Sequence, residues 1–493
     1  MSERRAGPEN RGKRILITGA TGYIGRRLKD RLLREPGLSL RLLVRNRAKV
    51  RPEVRHRVEI VEGDTFQKEA LAQAASGIDT AFYLIHSMGT KGDFSGLDRK
   101  SAENFRTACI AAGVKRIIYL GGLGVRQTAS KHLLSRIETG EILAAEPEKI
   151  QTIWFRAGVI IGSGSASFEI IRNLTEKLPC MLTPRWVTTK TEPVGVADVI
   201  SYLAAAIDLD ARGNLVVDIG CGQLSFQEMM LGAAKAMGLR RILIPVPFLT
   251  PRLSSYWLTL FTPVPFAVAA ALVEGLKSET IVQNDNARRH FPQIRPMSYE
   301  EAVQAAIREI AENQVLSRWC DSSAGALCDI KDQDTLAQAI LRDCRCLDFG
   351  EIPAERIFAS ACAIGGRQGW FTYTFLWRLR GLIDKMAGGY GLNRGRRDLS
   401  ALRVGDALDF WKVADLKPGQ RLLLLAQMKV PGRAWLEFTI SGHTLTQTAH
   451  FYPKGVWGRL YWYAVLPLHH LVFRDLLNKI VARAAGGEGG EQI

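Results

Sequence analysis

From Lys13 to Gly162 short apolar runs alternate with longer stretches whose apolar positions recur every three or four residues. The runs around Ile15-Leu16-Ile17, Leu38 to Val44, Val58 to Val61, Asp79 to Ile85, Arg116 to Gly122 and Gln151 to Arg156 read as six strands. The stretches between them read as helices, best seen from Ser95 to Ala112, where Gly113 follows as a cap. A continuous apolar run such as Thr80-Ala-Phe-Tyr-Leu84 suits a parallel strand covered on both faces. Strand-helix alternation implies right-handed crossovers, and so an α/β doubly wound parallel sheet. Ser298 to Glu312 reads as a helix closing this part, with Glu300 and Glu301 at its start.

From Gln314 to Asp334 the pattern weakens, and beyond it the style changes. Leu408 to Val413, Arg421 to Val430, Ala434 to Ile440 and Thr444 to Tyr452 read as antiparallel strands, with turns at Pro418-Gly419 and Pro431-Gly432. A closing helix is expected from about Trp462 to Ala485 despite Pro467. The expected organisation is a disordered basic start (1–12), the α/β domain (13–315) with a small lobe at about 225–275, and a linker (316–334). A second α+β domain (335–485) and a short tail (486–493) follow.

Composition adds limits. At 493 residues the chain suits several domains, and 47% hydrophobic with 23% charged residues is ordinary for a globular protein. A net charge of +17 favours an acidic partner: phosphorylated cofactor, membrane surface or nucleic acid. The eight cysteines form no Cys-x-x-Cys pair, so no metal site or disulfide scaffold is indicated and a reduced, cytoplasmic setting fits. The first dozen residues have no apolar core of a secretory signal. The apolar stretch from Ile242 to Val273 is broken by five prolines and Arg252, so it reads as a pocket wall or a membrane-resting surface, not a span.

The candidate chemistry begins at Lys13-Arg-Ile-Leu-Ile-Thr-Gly-Ala-Thr-Gly-Tyr-Ile-Gly25, a strand, a tight turn and a helix start. Gly19, Gly22 and Gly25, with Thr21, Tyr23 and Ile24 between them, let a pyrophosphate approach main-chain N–H groups at the positive end of a helix. After the second strand, where a carboxylate would read a ribose 2′-OH, stand Arg45, Arg47 and Lys49. That favours NADP(H) over NAD(H), a solvated basic loop being the alternative. His86 ends the fourth strand, where such sheets meet their ligand; it either lines the cleft or bonds to backbone.

The Thr-Gly-Ala-Thr-Gly-Tyr-Ile-Gly25 wording resembles the short-chain dehydrogenase/reductase superfamily, in its extended and atypical branches. The resemblance implies a Rossmann fold, an adenine-facing role for Asp64 in Glu62-Gly63-Asp64, an exposed turn aspartate being the alternative, and a stretch under the nicotinamide at Arg156 to Ser165. It also implies a Tyr-x-x-x-Lys pair after the fifth strand. Here the strand ends Gly121-Gly122-Leu-Gly124, and the best counterpart of the pair is His132-x-x-x-Arg136. Histidine can deliver a proton near neutral pH, and Arg136 can hold a ribose or phosphate, so His132 and Arg136 are the catalytic candidates.

Leu-Gly-Gly-Leu-Gly124, Gly-Ser-Gly-Ser-Ala-Ser-Phe168, Thr-Pro-Arg-Trp186 and Pro-Arg-Leu-Ser-Ser-Tyr-Trp257 resemble the subgroup of NmrA-like proteins and the 39-kDa accessory subunit of respiratory complex I. In that subgroup the nucleotide is often held tightly while turnover is absent or unproven. Leu-Trp-Arg-Leu-Arg-Gly381, Gly-Gly-Tyr-Gly-Leu-Asn-Arg-Gly-Arg-Arg397 and Met-Lys-Val-Pro-Gly432 resemble an uncharacterised domain family fused to such dehydrogenases, for which a START/SRPBCC-type helix-grip fold around a hydrophobic ligand is expected.

Two readings stand. One is an NADP(H)-dependent oxidoreductase on a hydrophobic carbonyl or quinone-like substrate. The other is a non-catalytic NADPH-binding redox sensor or respiratory, quinone-associated assembly protein, peripheral at the inner face of a membrane. Six arginines and one lysine against two aspartates between Leu376 and Arg403 suit phosphate or anionic lipid, or a solvated face. Nucleic acid is disfavoured because no recognised module for it is present.

Overall fold

The computed structural model describes residues 12–50, 52–85, 94–246, 273–275, 278–312, 339, 341–386, 391, 396, 402–453 and 455–486. The chain divides into two compact units, one holding the described residues up to 312 and one holding those from 339.

The first unit alternates strand and helix: β1 (Lys13–Thr18), α1 (Tyr23–Leu32), β2 (Leu38–Val44), α2 (Pro52–Arg55), β3 (Glu59–Glu62), α3 (Lys68–Ala75), β4 (Thr80–Tyr83), α4 (Phe94–Ala111), β5 (Arg116–Gly122), α5 (Lys131–Leu143) and β6 (Gln151–Ala157). All six strands and Leu215–Ile219 form one parallel sheet in the order β3-β2-β1-β4-β5-β6 and then Leu215–Ile219. This is a Rossmann-type doubly wound sheet. The order reverses between β1 and β4, which opens a crevice at their carboxyl ends. Both sheet faces are covered, one by a core including Ile15, Ile17, Leu42, Phe82 and Phe155, the other by one including Leu16, Ala81, Tyr83, Phe105 and Ile117. Odd and even positions of β1 therefore feed opposite cores, which is why its run is apolar throughout.

The helix Tyr299–Ala311 closes the unit with a complete capping box: the Ser298 hydroxyl accepts from the Glu301 N–H, and the Glu301 carboxylate accepts from the Ser298 N–H. Asp198 lies in the first turn of the helix Val196–Ala205, whose N-cap is Gly195. Its carboxylate accepts from the Met297 N–H at 3.1 Å, so it fastens the entry of the closing helix and does not cap its own. Part of the expected small lobe, residues 247–272, lies outside the described residues, as does the expected linker.

The second unit is a six-stranded antiparallel sheet. Leu341–Asp348 pairs with Thr444–Pro453, then come Gly432–Ser441, Arg421–Ala426, Trp411–Lys417 and Ala407–Leu408. The long helix Gly455–Ala485 packs its Phe473, Leu476, Leu477 and Ile480 side into a core shared with Leu436, Phe438 and Leu445 of the sheet.

Candidate functional site

The glycine turn stands where the sheet reverses. Thr18, the last residue of β1, is buried and donates its hydroxyl to the Phe82 carbonyl of β4 at 2.8 Å, which ties the two strands at the mouth of the crevice. Gly19 follows with φ +69°, a backbone state that penalises side chains, and a Cβ there would lie 2.4 Å from the Leu84 carbonyl oxygen. The Gly22 N–H donates to the Gly19 carbonyl at 2.9 Å and closes the turn. A Cβ on Gly25 would sit 2.2 Å from the Gly19 oxygen, so only glycine lets α1 lie this close to the turn. Gly22 caps α1 with no side-chain hydrogen bond, and no acidic residue occupies the first turn. The first N–H groups of a ten-residue helix therefore face the crevice without a side-chain cap, an arrangement suited to a diphosphate.

The flanking side chains brace this turn. Thr21 offers its carbonyl to Arg26 Nε at 2.9 Å, and Arg26 is buried. Ile24 packs into the core. The Tyr23 phenol turns inward: a Cβ on Gly162 would be 2.7 Å from it, the Arg27 guanidinium lies 5.2 Å from its ring centre, and burial pushes its pKa well up. Only the backbone of Tyr23 remains to serve a ligand. Arg27 in turn bonds the Ser163 carbonyl and hydroxyl at 3.0 and 2.8 Å and the Glu309 carboxylate at 2.9 Å. Ser163 falls in the expected stretch Arg156 to Ser165, whereas Arg26, Arg27 and Glu309 were not legible as site supports. Adjacent arginines in an amphipathic helix read as its wet face.

Arg45 is exposed one residue beyond β2, and the parallel register sets Leu43 level with Thr18, so Arg45 stands beside the glycine turn. Arg47 is exposed and Lys49 half-buried on the following turn. Asp64 is used locally: its carboxylate accepts from the Phe66 N–H at 2.7 Å. His86 lies outside the described residues.

At the end of β5 a Cβ on Gly121 would meet the Trp154 indole nitrogen at 2.4 Å, and one on Gly122 would meet Leu133 at 2.6 Å. Gly140 of α5 is likewise forced by Trp154, with 2.3 Å to the indole ring. These glycines let α5 approach the strand end. His132 occupies the first turn of α5, half-buried, behind the Ser130 hydroxyl that accepts from the Leu133 N–H. Arg136, one turn further on the same face, donates from Nη2 to the Leu120 carbonyl at 2.8 Å. Its Nε is buried and has no hydrogen-bond partner among the described residues. Beneath, Tyr83 and Thr65 share the Ser101 hydroxyl at 2.7 and 2.6 Å, and Ser135 donates to the buried Asp98 at 3.0 Å. Arg156 forms a two-pronged pair with the fully buried Asp218 at 2.6 and 2.8 Å, which fixes the strand leading to Gly162.

Residues 19–151 match the family described as NAD(P)H-binding, and residues 335–476 match a family described as a protein of unknown function (DUF2867). A ceramide reductase of Caulobacter vibrioides is 30% identical over 240 residues, 47% of this chain and 73% of that protein. A (4-alkanoyl-5-oxo-2,5-dihydrofuran-3-yl)methyl phosphate reductase of Streptomyces griseus is 32% identical over 126 residues, 25% of this chain and 39% of that one. Among solved structures, the triphenylmethane reductase of Citrobacter sp. superposes with a TM-score of 0.49 and 21% identity, over 60% of this chain and 99% of that one. The first unit is thus an NAD(P)H-binding, reductase-like domain, and through it the chain belongs to the NmrA-like, atypical branch of the short-chain dehydrogenase/reductases, together with the ceramide reductase it matches.

Proposed function

We propose that the protein is an NADPH-dependent reductase of a carbonyl on a long-chain, lipid-like molecule. The observation that carries the cofactor choice is Arg45 beside the glycine turn, followed by Arg47 and Lys49, where a 2′-OH reader would need a carboxylate. The substrate class is supported by the relationship to a ceramide reductase and to a reductase of an alkanoyl-bearing molecule. When bound, the dinucleotide supplies a hydride for a carbonyl carbon. The turn Gly19 to Gly25 and the first turn of α1 hold the diphosphate, and Arg45 and Lys49 hold the 2′-phosphate. A ring N–H of His132 passes its proton to the carbonyl oxygen as the C=O group becomes an alcohol, while Arg136 positions that end of the site from its anchor on Leu120. The second unit, with a long helix packed on an antiparallel sheet, supports a helix-grip reading in which it holds a hydrophobic ligand.

A second reading is favoured by one observation. Arg136 Nη2 is engaged by main chain and no Tyr-x-x-x-Lys pair is present, which suits an NADPH-binding sensor or quinone-associated assembly protein without turnover. The deciding experiment follows NADPH oxidation with an N-acylated long-chain amino ketone, a simple long-chain ketone or a quinone in detergent, with the product weighed by mass spectrometry. The reductase reading expects a product two hydrogens heavier, lost in His132→Ala while NADPH affinity stays within about twofold. Tight NADPH binding with no oxidation by any acceptor class would replace it with the second reading.

A further inference from the structure

The helix Thr374–Met386 in the second unit is turned inside out. Phe375, Leu379, Leu382, Ile383 and Met386 recur at the spacing of one helical face, and all are exposed, Phe375 at 65% and Met386 at 76%. The opposite face carries Asp384, only 3% exposed, whose carboxylate accepts from the Gly391 N–H at 2.8 Å and the Lys429 N–H at 2.7 Å. Arg380 also faces the protein, with Nη2 at 3.0 Å from Met428 Sδ and its guanidinium 5.2 Å from the Tyr461 ring centre.

Tyr461 belongs to the helix Gly455–Ala485, which repeats the anomaly over its first half only. Val456, Trp457, Leu460, Tyr463, Leu468 and Leu471 are exposed there, Trp457 at 77%. From Arg474 onward the exposed positions are Arg474, Asn478, Lys479, Ala482, Arg483 and Ala485, the normal surface of a helix whose other side is core. Eleven large apolar side chains thus stand in water on two helices that touch at Arg380 and Tyr461. So many exposed apolar groups in one place mark an interaction surface.

The charges among them are of one sign. Arg378, Arg459 and Arg474 are exposed and Lys385 is half-buried, Asp384 is turned inward, and no acidic residue occurs from 455 to 474. A second copy seated on this surface would set cations against cations. An anionic leaflet accepts both features at once, with the aliphatic and aromatic groups entering the headgroup boundary, Trp457 and Tyr463 at the level such rings favour, and the cations meeting lipid phosphate. No helix among the described residues is long and apolar enough to cross a membrane, so the helices would lie on it. We propose that the helix Thr374–Met386 and the first half of the helix Gly455–Ala485 dock this protein on the surface of an anionic phospholipid bilayer. This does not depend on the reductase reading, since it is measured without turnover.

The test is flotation of the full-length protein with vesicles of phosphatidylcholine alone or of phosphatidylcholine and phosphatidylglycerol at three to one. The wild type is expected to float with the anionic vesicles at least about tenfold more than with the neutral ones, and to be released by high salt. Phe375→Ser/Met386→Ser/Trp457→Ser alters only exposed side chains and should abolish flotation while NADPH affinity and the melting temperature are kept. Each cation near an anionic leaflet is worth roughly fivefold, so Arg378→Glu/Arg459→Glu should lower anionic partitioning by at least about 25-fold. No flotation of the wild type, or undiminished flotation of the triple-serine variant, overturns the proposal. Light scattering that shows a wild-type dimer, dissociated by the serine variant and indifferent to vesicles, overturns it in favour of a self-association face.

Discussion

Replacing Arg45 by alanine tests the cofactor assignment most directly. Arg45 is exposed, two residues beyond Leu43, which is in register with Thr18 at the end of β1. A unit charge 4 Å from a phosphate charge is worth about 1 kcal/mol at the dielectric of water and about 4 kcal/mol at the value typical near a protein surface. Exposure places Arg45 in the lower half of that range, at about 1 to 2.5 kcal/mol, or roughly 5- to 70-fold in Kd for NADPH. NADH lacks the 2′-phosphate, so its Kd should move by less than about twofold. Titration calorimetry with both nucleotides at about 50 and 300 mM salt measures this, and the NADPH advantage should shrink at the higher salt as the exposed charges are screened. Arg45→Lys should recover part of the loss. An equal loss for both nucleotides would mean that Arg45 shapes the turn and does not read the phosphate. No loss for either would return Arg45 to a solvated loop and remove the ground for preferring NADP(H).

Gly25→Ala places a Cβ 2.2 Å from the Gly19 carbonyl oxygen, so NADPH affinity should fall by at least about 100-fold; Gly37→Ala, with φ +77° but open space around it, should cost about 1 to 2 kcal/mol of stability in a melt and leave affinity unchanged. Burial pushes the Asp198 carboxyl from 3.8 up to about 6, against the lowering effect of the Met297 N–H, so the folded state binds this proton more tightly than the unfolded chain. Its ionisation therefore erodes stability as pH rises from about 4 to 6, and Asp198→Asn, which still accepts from Met297, should gain about 1 to 3 kcal/mol at pH 8 and nothing at pH 3.5 in urea melts. Gln447 is fully buried with neither amide atom hydrogen-bonded among the described residues, so Gln447→Leu should stabilise the protein by about 1 to 3 kcal/mol in the same assay, whereas destabilisation would show that the amide serves a bound polar group.

Much of the first unit could be read in advance because its physics is local. A strand buried on both faces must be apolar throughout, and a phosphate turn must be glycine, so β1, its turn and α1 declare themselves within thirteen residues. The roles that went unread depend on contacts far apart in the chain. In the second unit the strand Leu341–Asp348 is hidden because alternate positions hold Asp343 and Arg345, which satisfy each other at 3.2 Å and leave no apolar rhythm to see. The last helix begins at Gly455, seven residues before its expected start, and takes in Gly458. It is a packing residue: a Cβ there would lie 2.4 Å from the Pro431 carbonyl oxygen.

The same distance in sequence explains how the nucleotide turn is kept rigid. Uncapped helix N–H groups bind a diphosphate well only when they cannot drift, and α1 has no side-chain cap of its own. Its orientation is set instead by Arg27, which reaches Ser163 and, 282 residues later, Glu309 on the helix Tyr299–Ala311. That helix is held by its capping box and by Asp198 on Met297. Arg27 is buried and paired, so removing Glu309 would leave a desolvated cation beside Tyr23 and loosen α1 at its second turn. Nucleotide affinity and the docking of the closing helix are therefore one equilibrium: Glu309→Ala should weaken NADPH binding from outside the crevice, and saturating NADPH should restore most of the melting temperature that the substitution removes. A Glu309→Ala protein that melts lower yet binds NADPH as tightly as the wild type would show that the turn holds its shape by its glycines alone.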